Sequence, residues 1–166
     1  MQKQEAEKEF EKHIREYELL ILKVCRIYAF THTDRQDLFQ EIVIRLWKAY
    51  PGFKGDSKIS TWLYRVAINT AISGLRKKKR FIRAYEPAAM PEPAGEHAAE
   101  FDEKEKLTIL YHAIEQLNAV EKAIVMLYMD DRSYEEMEEI IGLNQGNLRV
   151  KMNRIKEKLR QLTKNN

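Results

Sequence analysis

The chain has 166 residues, 44% of them hydrophobic and 33% charged, with only 6 Gly and 4 Pro, and this composition excludes collagen-like, low-complexity and wholly disordered classes. No apolar run approaches the roughly 18 residues of a membrane span, and the charged N-terminus lacks the apolar stretch of a signal peptide, so we expect a cytoplasmic protein without membrane insertion. The single cysteine, Cys25, excludes an intramolecular disulfide and leaves no zinc-type ligand spacing. We therefore expect no metal or cofactor.

Two helices are predicted in the first 50 or so residues. The first runs from about residue 7 to 30, because apolar side chains recur at three- and four-residue steps and so share one helix face. This face comprises Tyr17, Leu20, Ile21, Val24, Cys25 and Tyr28. A capping box at Thr33 and Gln36 predicts the start of the second helix, which ends at Pro51. Its apolar positions are Leu38, Ile42, Leu46 and Trp47.

A third helix is predicted from about residue 60 to 80, where it ends in a run of basic residues. Its buried stripe comprises Leu63, Val66, Ala67, Thr70, Ala71 and Leu75. Residues 81–106 contain three of the four prolines and lack periodicity through their middle, which is typical of a flexible linker. We therefore predict an all-α protein with two small helical domains, residues 1–80 and 107–166.

The second domain is predicted to end in a helix-turn-helix. Helices are expected over about 102–116 and 118–129, and Asn118 and Glu121 give the second of these a cap-like start. A capping box at Ser133 and Glu136 begins a short third helix with Met137, Ile140 and Ile141 buried. Gly142 breaks this helix, and Asn144 is a good N-cap for the last one. The inner face of the last helix comprises Leu148, Met152, Ile155 and Leu159. The helix-turn-helix pattern thus consists of a short helix, a turn that contains Gly and a longer basic helix.

The formal net charge of +3 conceals an uneven distribution. Residues 1–80 carry 17 Lys and Arg against 10 Asp and Glu, whereas residues 81–106 carry 3 against 7. Residues 107–146 carry 2 against 8 and residues 147–166 carry 7 against 1, so the last helix is strongly cationic. A cationic helix of this kind favours a nucleic-acid partner, although charge runs also occur on solvated faces.

Polar residues of the last helix lie off its apolar stripe, where a recognition helix presents side chains to base edges. They are Asn147, Arg149, Asn153 and Arg154, together with the apolar Val150. Arg can donate two parallel hydrogen bonds to guanine, and Asn can pair with adenine. The alternative is an ordinary helical hairpin in which these residues face solvent.

Two blocks of the sequence resemble the extracytoplasmic-function (ECF) group of RNA polymerase sigma factors. Residues 34–80, DRQDLFQEIVIRLWKAYPGFKGDSKISTWLYRVAINTAISGLRKKKR, are similar to region two of that family. Residues 133–159, SYEEMEEIIGLNQGNLRVKMNRIKEKL, are similar to region four. The resemblance implies a non-enzymatic subunit that binds core RNA polymerase, recognises two promoter elements and helps to open the DNA.

The family's polymerase-binding helix corresponds to the second predicted helix. Asp37, Gln40 and Glu41 match positions of the acidic helix that docks on the clamp helices of the largest polymerase subunit. Asp37 and Glu41 are four residues apart, so both carboxylates project on one side of the helix and can meet basic partners. Glu41 is also spaced for an intramolecular pair with Arg45, and both roles are compatible.

The resemblance implies that residues 53–57 receive a base flipped from the melting, or minus-ten, element. In this loop Phe53 would stack on the base and Lys54 would hold phosphate, while Asn69 on the adjoining helix would read the extruded base. The alternative for Phe53 is that it anchors the loop in the core. Trp62 is either a packing residue or a DNA wedge. The full minus-ten set is Phe53, Lys54, Asp56, Ser57, Trp62, Arg65, Asn69, Arg76, Lys77 and Lys78, with Tyr64 also expected to face the DNA backbone.

In region four, Asn147, Arg149, Asn153 and Arg154 match the residues that read the upstream, or minus-thirty-five, element. Val150 replaces the small hydroxyl residue that is common in the family at its position, and Val150 and Lys151 complete the expected minus-thirty-five set. Lys151 and Lys156 are expected near phosphate, and Val150 is suited to a thymine methyl group. The acidic block at residues 107–146 would face away from DNA, where it would either screen the domain from non-specific binding or contact the flap of the second-largest polymerase subunit. Sigma factors of this kind are often held by an anti-sigma protein, which is a further expected partner.

The alternative function is a stand-alone helix-turn-helix regulator. Such a protein would usually dimerise on a palindrome, which leaves the acidic helix and the basic-tailed helix of the first domain without a role. An enzyme acting on nucleic acid is not supported, because the sequence has no Walker-type glycine loop, no metal-spaced carboxylates and no nucleophile with a paired base.

Overall fold

The computed structural model describes residues 1–84 and 102–164, with side chains described for 1–77 and 103–164. The described residues are helical or form turns, which confirms the all-α prediction. The chain divides into two compact units, Met1–Glu86 and Pro87–Asn166. Residues 85–101 of the predicted linker lie outside the described residues, whereas residues 81–84 continue one helix and residues 102–106 begin the next.

The first unit contains four α-helices and one turn of 3-10 helix. They are α1 (Gln2–Glu16), α2 (Glu18–Tyr28), α3 (His32–Ala49), the 3-10 turn Tyr50–Gly52 and α4 (Ile59–Ala84). Helices α2, α3 and α4 pack against one another, and their fully buried side chains include Ile21, Val24, Ile42, Leu46, Leu63 and Ala67. Burial within this core raises the pKa of the Cys25 thiol to about 11, which keeps the thiol protonated and unreactive at neutral pH.

The prediction of one long first helix is wrong, because the helix is interrupted at Tyr17. The backbone of Tyr17 leaves helical geometry (φ −108°, ψ 20°). Its carbonyl then accepts hydrogen bonds from the amides of Leu20 and Ile21, 3.1 and 3.3 Å away, and starts α2. The interruption separates the buried Phe10 of α1 from the buried face of α2. Because the apolar spacing continues across Tyr17, periodicity alone predicts an unbroken helix.

The predicted start of α3 and the burial of Trp47 also need correction. Thr31, and not Thr33, is the N-cap, since its Oγ1 accepts a hydrogen bond from the Asp34 amide at 3.0 Å. Trp47 is 38% exposed, because it lies at the edge of the helix bundle, where its ring contacts Phe10. Tyr17, Leu38, Val66 and Leu75, expected in the core, are half-buried.

The second unit contains α5 (Asp102–Glu115), α6 (Ala119–Met129), α7 (Tyr134–Ile141) and α8 (Gln145–Lys164). The predicted caps of α6, α7 and α8 are confirmed. Asn118 and Glu121 form a reciprocal capping box, Ser133 Oγ accepts from the Glu136 amide at 3.1 Å, and Asn144 Oδ1 accepts from the Asn147 amide at 2.8 Å. The predicted inner face is also found, with Met137, Ile140, Leu148, Met152 and Ile155 buried and Ile141 and Leu159 half-buried.

Two features fix α8 relative to the helices before it. Gly142 adopts a left-handed conformation (φ +86°) at the end of α7 and so permits the turn into α8. Lys158 Nζ donates to both carboxylate oxygens of Glu121, each at 3.0 Å, and this ion pair joins α8 to the capping residue of α6. In the described part of the chain, no helix is both long and apolar enough to cross a membrane.

Gly142→Ala is expected to destabilise the second unit by about 1–2 kcal/mol, because an L-residue is strained in the left-handed region. Urea unfolding followed by circular dichroism measures this loss. Gly146→Ala is the matched control: Gly146 lies within α8, and a Cβ there would meet Asn144 Oδ1 at an ordinary 3.5 Å. The control is expected to be neutral or to stabilise by about 0.5–1 kcal/mol, so equal losses for both variants would contradict the argument.

Candidate functional site

The outer face of α8 presents the polar residues that the sequence predicts to read DNA. Burial of Leu148, Met152 and Ile155 against the other helices turns the opposite side of α8 to solvent. The exposed residues are Asn147, Arg149, Val150, Asn153 and Arg154, while Lys151 and Lys156 are half-buried. The helix therefore combines a buried apolar stripe with an exposed cationic face that has a single apolar position at Val150.

Two basic residues of α8 lie over aromatic rings of the preceding helices. Arg149 Cζ is 4.9 Å from the ring centroid of Tyr134, the first residue of α7. Lys156 Nζ is 4.6 Å from the ring centroid of Tyr128, near the end of α6. Both distances are within the range of cation–π attraction. Sequence reasoning did not identify either tyrosine, because each pair joins two different helices and leaves no periodic signal.

The first unit contains a chain of aromatic rings that ends at the predicted minus-ten loop. Phe10 of α1 contacts Trp47 and Tyr50, with ring centroids 5.0 and 5.2 Å apart. Tyr50 lies 6.2 Å from Trp62, which in turn lies 5.0 Å from Phe53. Phe53 and Trp62 are both half-buried. Each therefore packs against the other and also keeps part of its surface accessible. We call these five residues the aromatic cluster.

Tyr50 sits at the centre of the aromatic cluster and links it to an acidic residue of α1. Burial raises the pKa of the Tyr50 hydroxyl, and the charge of Glu9 and its hydrogen bond with Tyr50 raise it further. The sequence did not predict this contact, because Glu9 precedes Tyr17, the first residue of the predicted apolar helix face, and had no assigned role.

Four of the predicted minus-ten residues of α4 share one side of that helix. Trp62, Arg65, Asn69 and Arg76 follow at steps of three, four and seven residues, which keeps them on a common face. Trp62 and Arg65 are half-buried, and Asn69 and Arg76 are exposed. Lys77 is also exposed, whereas the side chain of Lys78 lies outside the described residues.

Tyr64 does not belong to this face, and its predicted role at the DNA backbone is wrong. Its side chain is 0% exposed, on the side of α4 that also buries Leu63 and Ala67. In the loop before α4, Lys54 and Asp56 are exposed and Ser57 is half-buried. The loop turns at Gly55, where φ is +79°.

Asp37, Gln40 and Glu41 are all exposed on α3, as the acidic pattern predicts. Glu41 Oε1 accepts a hydrogen bond from Arg45 Nε at 3.0 Å, which confirms the intramolecular pair. Because the two side chains are 51% and 39% exposed, such a pair contributes about 0.3–0.5 kcal/mol and is easily exchanged for an external partner. Asp37 and Glu41 line a shallow groove between α3 and α4.

The chain matches two family models, one in the first unit and one in the second. Sigma-70 region 2 matches residues 13–81, and sigma-70 region 4 matches residues 107–159. The ECF RNA polymerase sigma factor SigG of Mycobacterium tuberculosis is 33% identical over 102 residues, which are 61% of this chain and 27% of SigG. This chain thus corresponds to about a quarter of that relative. The ECF RNA polymerase sigma-E factor of Escherichia coli K12 is 32% identical over 137 residues, 75% of this chain and 71% of sigma-E.

Two solved structures share the fold. One is the sigma factor RpoE in complex with the anti-sigma factor NepR from Bartonella quintana, with a TM-score of 0.79 and 21% identity over 95% of this chain and 98% of RpoE. The other is CnrH in complex with the cytosolic domain of CnrY, with a TM-score of 0.69 and 17% identity over 96% and 90% of the two chains.

The protein belongs to the sigma-70 family of RNA polymerase sigma factors, in its ECF group. Sigma factors of this family are not enzymes. Membership also sets aside the alternative of a stand-alone helix-turn-helix regulator, which would not carry region 2.

Proposed function

We propose that the chain binds core RNA polymerase through α3 and recognises a promoter with both units. In this proposal α8 reads the minus-thirty-five element, and the loop at 53–57 with the adjoining face of α4 recognises and opens the minus-ten element. The observation that carries the proposal is the solvent-facing set on α8, which presents Arg and Asn side chains beside a fully buried stripe, in a chain that belongs to the ECF group.

The geometry of α8 supports direct base readout in the minus-thirty-five element. A major groove admits one helix, and side chains near the N-terminal end of that helix reach base edges. Asn147, Arg149 and Asn153 occupy such positions and are exposed. Lys151 and Lys156 are half-buried, and we propose that they contact phosphate. Val150 offers a methyl-sized apolar contact for thymine.

The aromatic cluster supports capture of a base from the minus-ten element. Flipping a base costs a few kcal/mol of lost stacking, and stacking on an aromatic side chain recovers about 1–3 kcal/mol. Phe53 and Trp62 are held by ring contacts yet keep accessible surface, so we propose that they act both as packing residues and as part of the base-capture site. Asn69 would then read the edge of the base, and Arg65, Arg76, Lys77 and Lys78 would neutralise phosphates.

Further partners follow from the polymerase-bound state. We propose that Asp37, Gln40 and Glu41 contact basic residues of the clamp helices in the largest polymerase subunit, and that the acidic part of the second unit contacts the flap of the second-largest subunit. An anti-sigma protein is a proposed antagonist, in line with the RpoE–NepR and CnrH–CnrY complexes of similar fold. Because core polymerase works in the cytoplasm, we propose that this protein acts there.

Reconstitution with bacterial core polymerase tests the proposed function directly. The full chain is expected to co-elute with core at one-to-one stoichiometry and to drive run-off transcription from templates that share two spaced elements. Templates recovered by the holoenzyme from a randomised library supply the promoter. Binding of the chain to palindromic DNA without association with core would contradict the proposal.

Replacement of both Asp37 and Glu41 by Ala is expected to weaken core binding about tenfold or more, because two carboxylates that meet basic partners are lost. Equilibrium binding to fluorescent core measures the change. The matched control is Glu7→Ala with Glu11→Ala on α1, since these carboxylates are also four residues apart, and Glu11 pairs with Arg15 as Glu41 pairs with Arg45. The control removes the same charge and is expected to leave core affinity unchanged. Equal effects of the two double variants would show that α3 acts only through net charge.

Arg149→Ala is expected to reduce discrimination at one base pair of the minus-thirty-five element, by about 1–3 kcal/mol, because a bidentate contact to guanine is lost. Sequencing of duplexes selected by the variant holoenzyme measures this preference. Lys151→Ala is the control for phosphate contacts and is expected to weaken all sequences uniformly and lower the salt dependence. A uniform loss for Arg149→Ala would place Arg149 in the phosphate class instead.

A further inference from the structure

The contact between Arg149 and Tyr134 bears on how Arg149 reaches its target. Arg149 is an exposed residue of the DNA-facing side of α8, and a long exposed Arg side chain populates many rotamers. Its guanidinium carbon lies over the Tyr134 ring at 4.9 Å from the centroid. The ring therefore favours one group of rotamers before any DNA is bound.

The helix that carries the Tyr134 ring is well defined. Tyr134 is the first residue of α7, directly after the N-cap Ser133, whose side chain accepts from the Glu136 amide at 3.1 Å. Met137 and Ile140 anchor the same helix in the core, at 0% and 3% exposure. Gly142 then fixes the turn between α7 and α8. The ring thus belongs to a capped and packed helix, while Arg149 belongs to the reading helix.

A ring contact leaves the hydrogen-bonding capacity of Arg149 available. A guanidinium group carries five N–H donors in its plane, and the face of an aromatic ring offers no oxygen or nitrogen acceptor to occupy them. Guanine is recognised by two parallel donors from the edge of that plane. Tyr134 can therefore orient Arg149 without competing for the donors that would meet a base, and pre-ordering a side chain in its bound form improves binding.

We propose that Tyr134 is a specificity-positioning residue for the minus-thirty-five element, which acts by holding the guanidinium of Arg149 toward one base pair. The proposal rests on the proposed function of α8 and adds a residue of the non-reading helix to it. Tyr134 is not required to touch DNA, and its effect is confined to the base pair that Arg149 reads.

The test is a selection from a duplex library randomised across the upstream region, performed with holoenzymes that contain the full-length chain. Tyr134→Leu is expected to lower enrichment of the preferred base about two- to fivefold at the single position that Arg149→Ala affects, in keeping with loss of a cation–π contact. Tyr134→Phe keeps the ring and is expected to match the wild type. In the Arg149→Ala background, Tyr134→Leu is expected to cause no further change, because its effect requires the guanidinium.

Tyr128→Leu is the matched control, because it removes an aromatic ring that contacts a different basic residue of α8, Lys156. It is expected to leave enrichment at the Arg149 position unchanged. If Tyr134→Leu lowers the melting temperature of the chain below the selection temperature, Tyr134→Met replaces it as a more flexible apolar side chain.

Three results would overturn the inference. Unchanged enrichment in Tyr134→Leu would show that the ring does not position Arg149. If Tyr134→Phe weakens binding of all duplex sequences equally, the Tyr134 hydroxyl contacts a phosphate instead. A further loss in the double variant would show an effect independent of Arg149. A wild-type holoenzyme that selects no upstream element refutes the proposed function itself, whereas a functional wild type with an insensitive Tyr134→Leu refutes only the inference.

Discussion

Every proposed surface of this protein depends on one constraint, which is that each helix of a small unit must bury one stripe of apolar side chains. On α8, burial of Leu148, Met152 and Ile155 leaves Arg149 and Asn153 on the outside. On α4, burial on the side of Leu63 and Ala67 turns Trp62 and Asn69 outward. The same packing that supplies hydrophobic stabilisation thus also selects which polar residues can meet DNA or polymerase.

The helices were predictable where local signals agree with packing. In the second unit, side-chain caps at Asn118, Ser133 and Asn144 coincide with apolar periodicity, so that both starts and faces follow from the sequence. In the first unit two local patterns misled the prediction. Thr31 and Thr33 are both suitable caps, and the choice of Thr31 is set by backbone geometry. The break at Tyr17 has no Gly or Pro to mark it.

The candidate sites were predictable residue by residue but not as assemblies. Exposure of Asp37, Asn69 and Arg149 follows from helical spacing, whereas Tyr64, one residue beyond a predicted stripe position, turned out to be buried. Contacts between different helices were not predictable from the spacing of residues along the sequence. Phe10 packs on Trp47, and Arg149 on Tyr134, because tertiary packing brings separate helices together, and a single sequence does not encode such pairs as a pattern.

The aromatic cluster also gives the protein a spectroscopic asymmetry. The chain has two tryptophans, Trp47 and Trp62, and both indoles lie in that cluster, next to Phe10 and Phe53. The second unit has tyrosines but no tryptophan. Intrinsic indole emission therefore originates wholly in the first unit, where it reports on the surroundings of the loop at residues 53–57, and the second unit contributes none.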